Sequence, residues 1–164
     1  MLERLDASTL YPPFVALLTM VDIRCRARGA AYVATSGLRS YDEQARRHGA
    51  FLAGTGTRAA PPGLSAHQYG LAVDVAPDAD PARPGLQADY SERMYRVLGE
   101  EVAAIGGLVW GGTWNRPDMP HVQWPGYVTG KQLRALRNVY KAASGPEPAR
   151  RAAVWAFLDA GSEA

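Results

Sequence analysis

Ser65-Ala66-His67-Gln68-Tyr69-Gly70-Leu71-Ala72-Val73-Asp74 is the stretch on which the reading of this chain turns. Its second half alternates. As a strand, Leu71, Val73 and Val75 face one side, and Ala72 and Asp74 face the other. The first set packs into a core. The second sends a carboxylate into a cavity, where an unpaired charge is costly. A metal ion removes that cost. His67 stands just upstream, and Gly70 and Ala72 between them let backbone and metal approach closely.

Asp118-Met119-Pro120-His121 adds a second imidazole and a second carboxylate, in a chain with only three histidines. Neutral imidazole and carboxylate suit Zn²⁺, and three protein ligands plus a water is the usual layout of a catalytic zinc site. A further carboxylate that does not bind the metal then serves as general base. These residue types point to a zinc hydrolase. The competing reading is a set of ordinary core or surface histidines.

Composition narrows the classes. A chain of 164 residues, 47% hydrophobic and 21% charged, fits one globular domain with a full core. No apolar run is long enough for a transmembrane helix. Met1-Leu2-Glu3-Arg4-Leu5-Asp6 lacks the charged start, apolar stretch and cleavage site of a signal peptide. One cysteine, Cys25, excludes an internal disulfide, and its apolar helical neighbours make it a core residue rather than a nucleophile. A formal charge of +2 is too small to argue for nucleic acid.

Local patterns predict the elements. Residues 11–28 read as a helix, with Phe14, Leu17, Leu18 and Val21 at helical spacing and Pro12 and Pro13 at its start. Residues 31–35 read as a buried strand. Ser40-Tyr41-Asp42-Glu43 has the capping-box pattern, so a helix runs from there to about His48. Residues 49–66 are rich in Gly, Pro, Thr and Ala and read as a long loop, a kind that is often functional. A strand over 71–75 and a loop over 78–87 follow. Residues 88–105 read as a helix with Met94, Val97, Leu98 and Val102 inward. Residues 108–110 and 121–124 are short strands around a glycine-rich turn, with His121 and Gln123 on one face. After Pro125 come a second capping box, Thr129 to Gln132, a helix with Leu133, Leu136, Val139 and Tyr140 at helical spacing, and a last helix over 148–160.

Other residues hold more than one reading. Asp118 lies close enough to His121 to take a proton from a metal-bound water, and is equally a turn aspartate before a strand. Arg39 can hold a substrate carbonyl or carboxylate, or be a surface arginine near a helix start. Gln44 can orient Arg39, contact substrate, or be an exposed helix residue. His48 is most simply a partner of the helix C-terminal dipole. Trp110 and Trp114 are core residues or a pocket wall.

Taken together, Ser36-Gly37-Leu38-Arg39-Ser40 with Gln44, Ser65-x-His67-x-x-Gly70-x-Ala72-x-Asp74, Trp110-Gly111-Gly112 with Trp114, and Asp118-x-Pro120-His121-x-Gln123 resemble the zinc D-Ala-D-Ala carboxypeptidase and L-alanyl-D-glutamate endopeptidase family. Phage endolysins and cell-wall recycling enzymes belong to it. The resemblance spans about residues 10–125 and implies a zinc metallopeptidase acting on peptidoglycan stem peptides. It implies His67, Asp74 and His121 as zinc ligands, Asp118 as general base and Arg39 as the residue that steadies the polarised carbonyl. Gln44, Ser65 and Trp110, from the same pieces, are the expected substrate contacts. The implied fold is α+β, a small antiparallel sheet carrying the zinc site and packed against helices, with two C-terminal helices. The Asp-x-Pro-His form and the Trp-Gly-Gly segment look more like the endopeptidase branch, which cuts L-Ala–D-Glu.

The expected organisation is a peptidase domain over 1–127 and a helical extension over 128–164 packed on the same domain. That extension does not look like a cell-wall-binding module. Its basic residues, Arg134, Arg137, Lys141 and Arg150 among them, could attract an anionic envelope, dock on a virion partner, or be a solvated face. The expected setting is a phage endolysin or a virion component, made in the host cytoplasm and acting on the wall after release. The alternatives are a D-Ala-D-Ala carboxypeptidase and a structural virion component that keeps the fold.

Overall fold

The computed structural model describes residues 1–162. In chain order its elements are α1 (Pro12–Ala27), β1 (Ala31–Ser36), α2 (Tyr41–Leu52), β2 (Ala72–Asp78), α3 (Glu92–Ile105), β3 (Val109–Trp110), β4 (His121–Gln123), α4 (Gly130–Ala142) and α5 (Glu147–Ser162). The four strands form one antiparallel sheet in the order β1-β2-β4-β3. This is the α+β class that the family resemblance implies.

The chain divides into two compact units. The first comprises residues 1–38 and 71–125. In it α1 begins on Pro12 and Pro13, where missing N–H groups cost nothing, and buries Phe14, Leu18, Val21 and Cys25 in one stripe. Burial pushes the Cys25 thiol up to about 12, with the Glu101 charge adding to it, so the group is an inert core residue. Helix α1 packs on α3 and on β1, and α3 packs on β3. Met94, Val97, Leu98 and Val102 of α3 all point inward, as their spacing predicts.

Two boundaries in this unit differ from expectation. Strand β2 continues past Val75 through Pro77 to Asp78. The proline is tolerated because β4 pairs only with Ala72 to Asp74, so β4 does not call on the N–H that Pro77 lacks. Helix α3 starts at Glu92 rather than Ala88, because Ala88 is held in a β-bridge opposite Asp78. The buried Asp78 carboxylate accepts from the N–H groups of Asp80 and Gln87 and ties the intervening loop down.

The second unit comprises residues 39–70 and 126–164. Helix α2 is capped by Ser40, whose hydroxyl accepts from Glu43 N–H. It runs past His48 to Leu52. Gly49 does not stop it, because Ala50, Phe51 and Leu52 carry it on to Gly54, whose φ of 72° ends it. His48 is therefore not at the C-terminal dipole. Its Nδ1 lies 2.9 Å from the Ala59 carbonyl oxygen instead. Helix α4 carries the full Thr129/Gln132 capping box and packs on α5. Leu133, Leu136 and Tyr140 of α4, with Val154 and Leu158 of α5, form the apolar interior of this unit. No helix among the described residues is long and apolar enough to cross a membrane.

Candidate active site

Asp74 sits on β2 opposite a β-bulge. The register steps from Ala34↔Val75 to Ser36↔Asp74, which leaves Thr35 as an extra residue. The Thr35 hydroxyl donates to the Asp74 carbonyl oxygen at 3.2 Å. A bulge bends its strand and re-aims neighbouring side chains, and bulges gather beside active sites for that reason. Nothing in the residue types around Thr35 announces it.

His121 opens β4 directly across from Asp74 in the ladder. The chain arrives there through a tight turn. Asp118 N–H donates to Gly111 O, His121 N–H to Asp118 O, and Val75 N–H to Pro120 O. Gly111 has to be glycine: an added Cβ would lie 2.5 Å from Asp118 O and 3.0 Å from His121 Cβ. The Asp118 side chain is exposed at the start of this turn. The Trp114 ring lies 5.0 Å from the His121 ring. Trp110 donates from Nε1 to Met119 O at 2.8 Å, and its ring occupies the space that Cβ atoms on Gly99 and Gly112 would take. Trp110 thereby braces the backbone that carries Asp118 and His121.

His67 lies in a one-turn 3-10 helix, Ala66–Tyr69, that ends at Gly70 with φ 69°. Its side chain is buried, and its carbonyl accepts from Arg39 N–H and Gly70 N–H. Arg39 is half-buried, one residue before the α2 cap. Gln44 is not an exposed helix residue: it is 1% exposed and its Nε2 donates to Ala60 O at 2.8 Å. Ser65 is buried just ahead of the His67 turn.

One potential donor atom from each of His67, Asp74 and His121 lies within 4.8 Å of the others. The hydrogen bonds around His121 test whether a cation fits there. Gln123 Nε2 reaches Trp124 O, which turns its Oε1 toward His121 Nε2 at 3.0 Å. An amide oxygen only accepts, so Nε2 is the donor to Gln123. His121 Nδ1 stands 3.0 Å from Asp74 Oδ1, a contact that a proton on Nδ1 or a cation between the two atoms satisfies. Two imidazoles and a carboxylate are the donor set zinc prefers, and an outer partner such as Gln123 orients a ligating histidine. The sequence places Gln123 on the face of His121 and in the motif that carries the resemblance; its role as orienting acceptor is a finding of the structure.

Residues 58–124 match the family described as D-alanyl-D-alanine carboxypeptidase, peptidase M15. The match covers less than half of the chain. The matched segment holds His67, Asp74, Asp118 and His121 together. M15 enzymes are zinc peptidases, in keeping with the donor set. The chain is similar to the Serratia marcescens L-Ala D-Glu endopeptidase ChiX, at 25% identity and TM-score 0.52 over 72% of this chain and 82% of that one. It shares its fold with the VanY D,D-pentapeptidase of the VanB-type resistance cassette, whose structure is a complex with Zn(II) (20% identity, TM-score 0.53, 77% and 78% of the two chains). The same holds for the LdcB LD-carboxypeptidase (21% identity, TM-score 0.53, 82% and 72%). No curated protein sequence matches the chain.

Proposed function

We propose that the protein is a zinc-dependent peptidase that hydrolyses peptidoglycan stem peptides between L-Ala and D-Glu. The observation that carries this is the gathering of His67, Asp74 and His121 donor atoms within 4.8 Å, inside the segment matched by the peptidase family. Zinc held by these three residues supplies a Lewis acid for the scissile carbonyl and a water of lowered pKa.

The chain's own groups do the rest. Asp118, exposed on the turn that leads into His121, takes the proton of the attacking water and returns it to the leaving amine. The Arg39 guanidinium donates to the carbonyl oxygen as negative charge develops there. Gln123 holds His121 in one tautomer through Nε2. Gln44, Ser65 and Trp110 are the proposed contacts to the stem peptide.

The choice of bond rests on the likeness to ChiX. The description of the matching family favours a second reading, a D-Ala-D-Ala carboxypeptidase. A synthetic stem pentapeptide separates the two. Mass spectrometry should find L-Ala released from a fragment that begins at D-Glu. Release of the terminal D-Ala alone selects the second reading.

The setting we propose is a phage endolysin or virion-associated lysin, made in the host cytoplasm and acting on the wall after release. This rests on the sequence pattern. Lys131, Arg134 and Lys141, exposed on α4, suit attraction to an anionic envelope or a virion partner.

A further inference from the structure

We propose that α4 and α5 belong to the metal centre's scaffold: Tyr140 and Trp155 are positioning residues that fix the 3-10 turn presenting His67. The proposal rests on His67 being a zinc ligand.

The turn Ala66–Tyr69 is four residues long. A 3-10 piece that short has little stability of its own, since nucleating one turn fixes several dihedrals for one or two hydrogen bonds. Its geometry must be imposed by what grips it. Trp155 Nε1 donates to the Tyr69 carbonyl oxygen at 2.8 Å. The Tyr69 ring, fully buried, meets the Tyr140 ring edge-on at 6.0 Å, and Tyr140 stacks on Tyr41 at 4.9 Å. The Tyr69 hydroxyl donates to Gly63 O at 2.9 Å and lies 3.2 Å from the Tyr41 hydroxyl.

The other flank is closed in the same way. Gly63 N–H donates to Gln68 Oε1 at 2.6 Å. A Cβ on Gly63 would lie 2.5 Å from Arg137 Cδ, so α4 presses directly on the loop that holds Gln68. Arg150 lies over the Tyr140 ring at 5.9 Å and Arg151 over the Trp155 ring at 5.6 Å, which steadies both aromatic groups. Of the two residues that follow His67, Tyr69 is thus held by Tyr140 and Trp155, and Gln68 by the Gly63 loop against which Arg137 lies. A metal ligand displaced by a fraction of an ångström binds less tightly, and supporting partners typically contribute about 10- to 100-fold in affinity.

A merely structural cap would change melting but not coordination, so the test reads the metal. Full-length Trp155→Phe keeps a ring and loses the N–H. Tyr140→Leu loses the ring stack, and Tyr140→Phe keeps it. Phe157→Ala, on the exposed side of α5, is the control. Zn²⁺ affinity is measured by chelator competition, and coordination by the visible absorption of the Co²⁺-loaded protein. Trp155→Phe and Tyr140→Leu should each weaken Zn²⁺ binding by about tenfold and alter the Co²⁺ spectrum. Tyr140→Phe and Phe157→Ala should match the unmodified protein. Wild-type affinity and spectrum in a folded Trp155→Phe would overturn the proposal, even if Tyr140→Leu failed to fold. An unmodified protein that binds neither metal would instead overturn the ligand assignment, and this proposal with it.

Discussion

Asp74 and His121 face each other across the β2–β4 ladder, and their side chains meet with Oδ1 3.0 Å from Nδ1. Ladder pairing fixes the Cα positions, the Thr35 bulge aims one side chain, and the Gly111 turn delivers the other. The contact is therefore built by backbone geometry, and substitutions at its ends and supports should have different consequences.

His121→Ala should remove zinc binding. Because a metal that binds only the folded chain contributes its binding energy to stability, the zinc-loaded protein should also melt higher than the chelated one, and this increment should vanish in the variant. Metal analysis and paired melting curves check both. Full zinc occupancy in His121→Ala would remove it from the ligand set.

Asp118→Asn should leave zinc content and fold intact and lower turnover by about 10²- to 10⁴-fold, the usual contribution of a general acid–base group. Near-normal hydrolysis would make Asp118 only a turn residue. Arg39→Lys should also lower turnover, because a point charge does not reproduce a planar guanidinium.

Gly111→Ala should damage the site without touching any reacting group. The new methyl would sit 2.5 Å from Asp118 O, and backbone oxygen cannot yield cheaply. Overpacking of this kind costs about 1–3 kcal/mol. Zinc affinity and turnover should fall together, which separates this variant from Asp118→Asn.

Glu101 supplies a pH-dependent term far from the chemistry. Hydrogen bonds from Arg24, then Arg28, hold its carboxyl below the ordinary 4.5. A lowered folded-state pKa gives stability that is complete above 4.5 and is lost as pH falls through the lower folded value. Glu101→Gln should therefore melt lower than the unmodified protein near neutrality, with the gap closing in acid. A gap that persisted unchanged to pH about 2 would exclude this linkage.

Truncation after Tyr127 should unfold the second unit. It removes Leu133, Leu136, Tyr140, Val154 and Leu158 from that unit's interior. Each buried side chain contributes about 1.5–3 kcal/mol, against a total stability of about 5–15 kcal/mol for a domain. Aggregation and loss of the melting transition are expected. A soluble, fully active fragment would point to a docking role for α4 and α5.

The sequence made the strand alternation of 71–75 and the inward stripe of α3 legible, because period two and period 3.6 report burial directly. The resemblance pointed to the three donors, and the structure brings them together. Other features depend on long-range partners. Pro77 reads as a strand end until β4 is seen to stop short of it. Ala88 reads as helix until its bridge to Asp78 is known. The apolar stripe of α4 is plain in Leu133, Leu136 and Tyr140, but its partners Tyr41 and Tyr69 lie about 70 to 100 residues away. The Thr35 bulge carries no local signal at all, and alternation gives the face of Gln123 but not its bond to His121.

The most direct test of zinc-dependent wall hydrolysis uses purified sacculi, incubated with the zinc-loaded protein or with the chelated one, and labelled at new amino ends. The account predicts new D-Glu amino ends with zinc, their loss on chelation and their return when zinc is restored. Folded, zinc-loaded protein that generates no new peptide ends in the sacculus would contradict it.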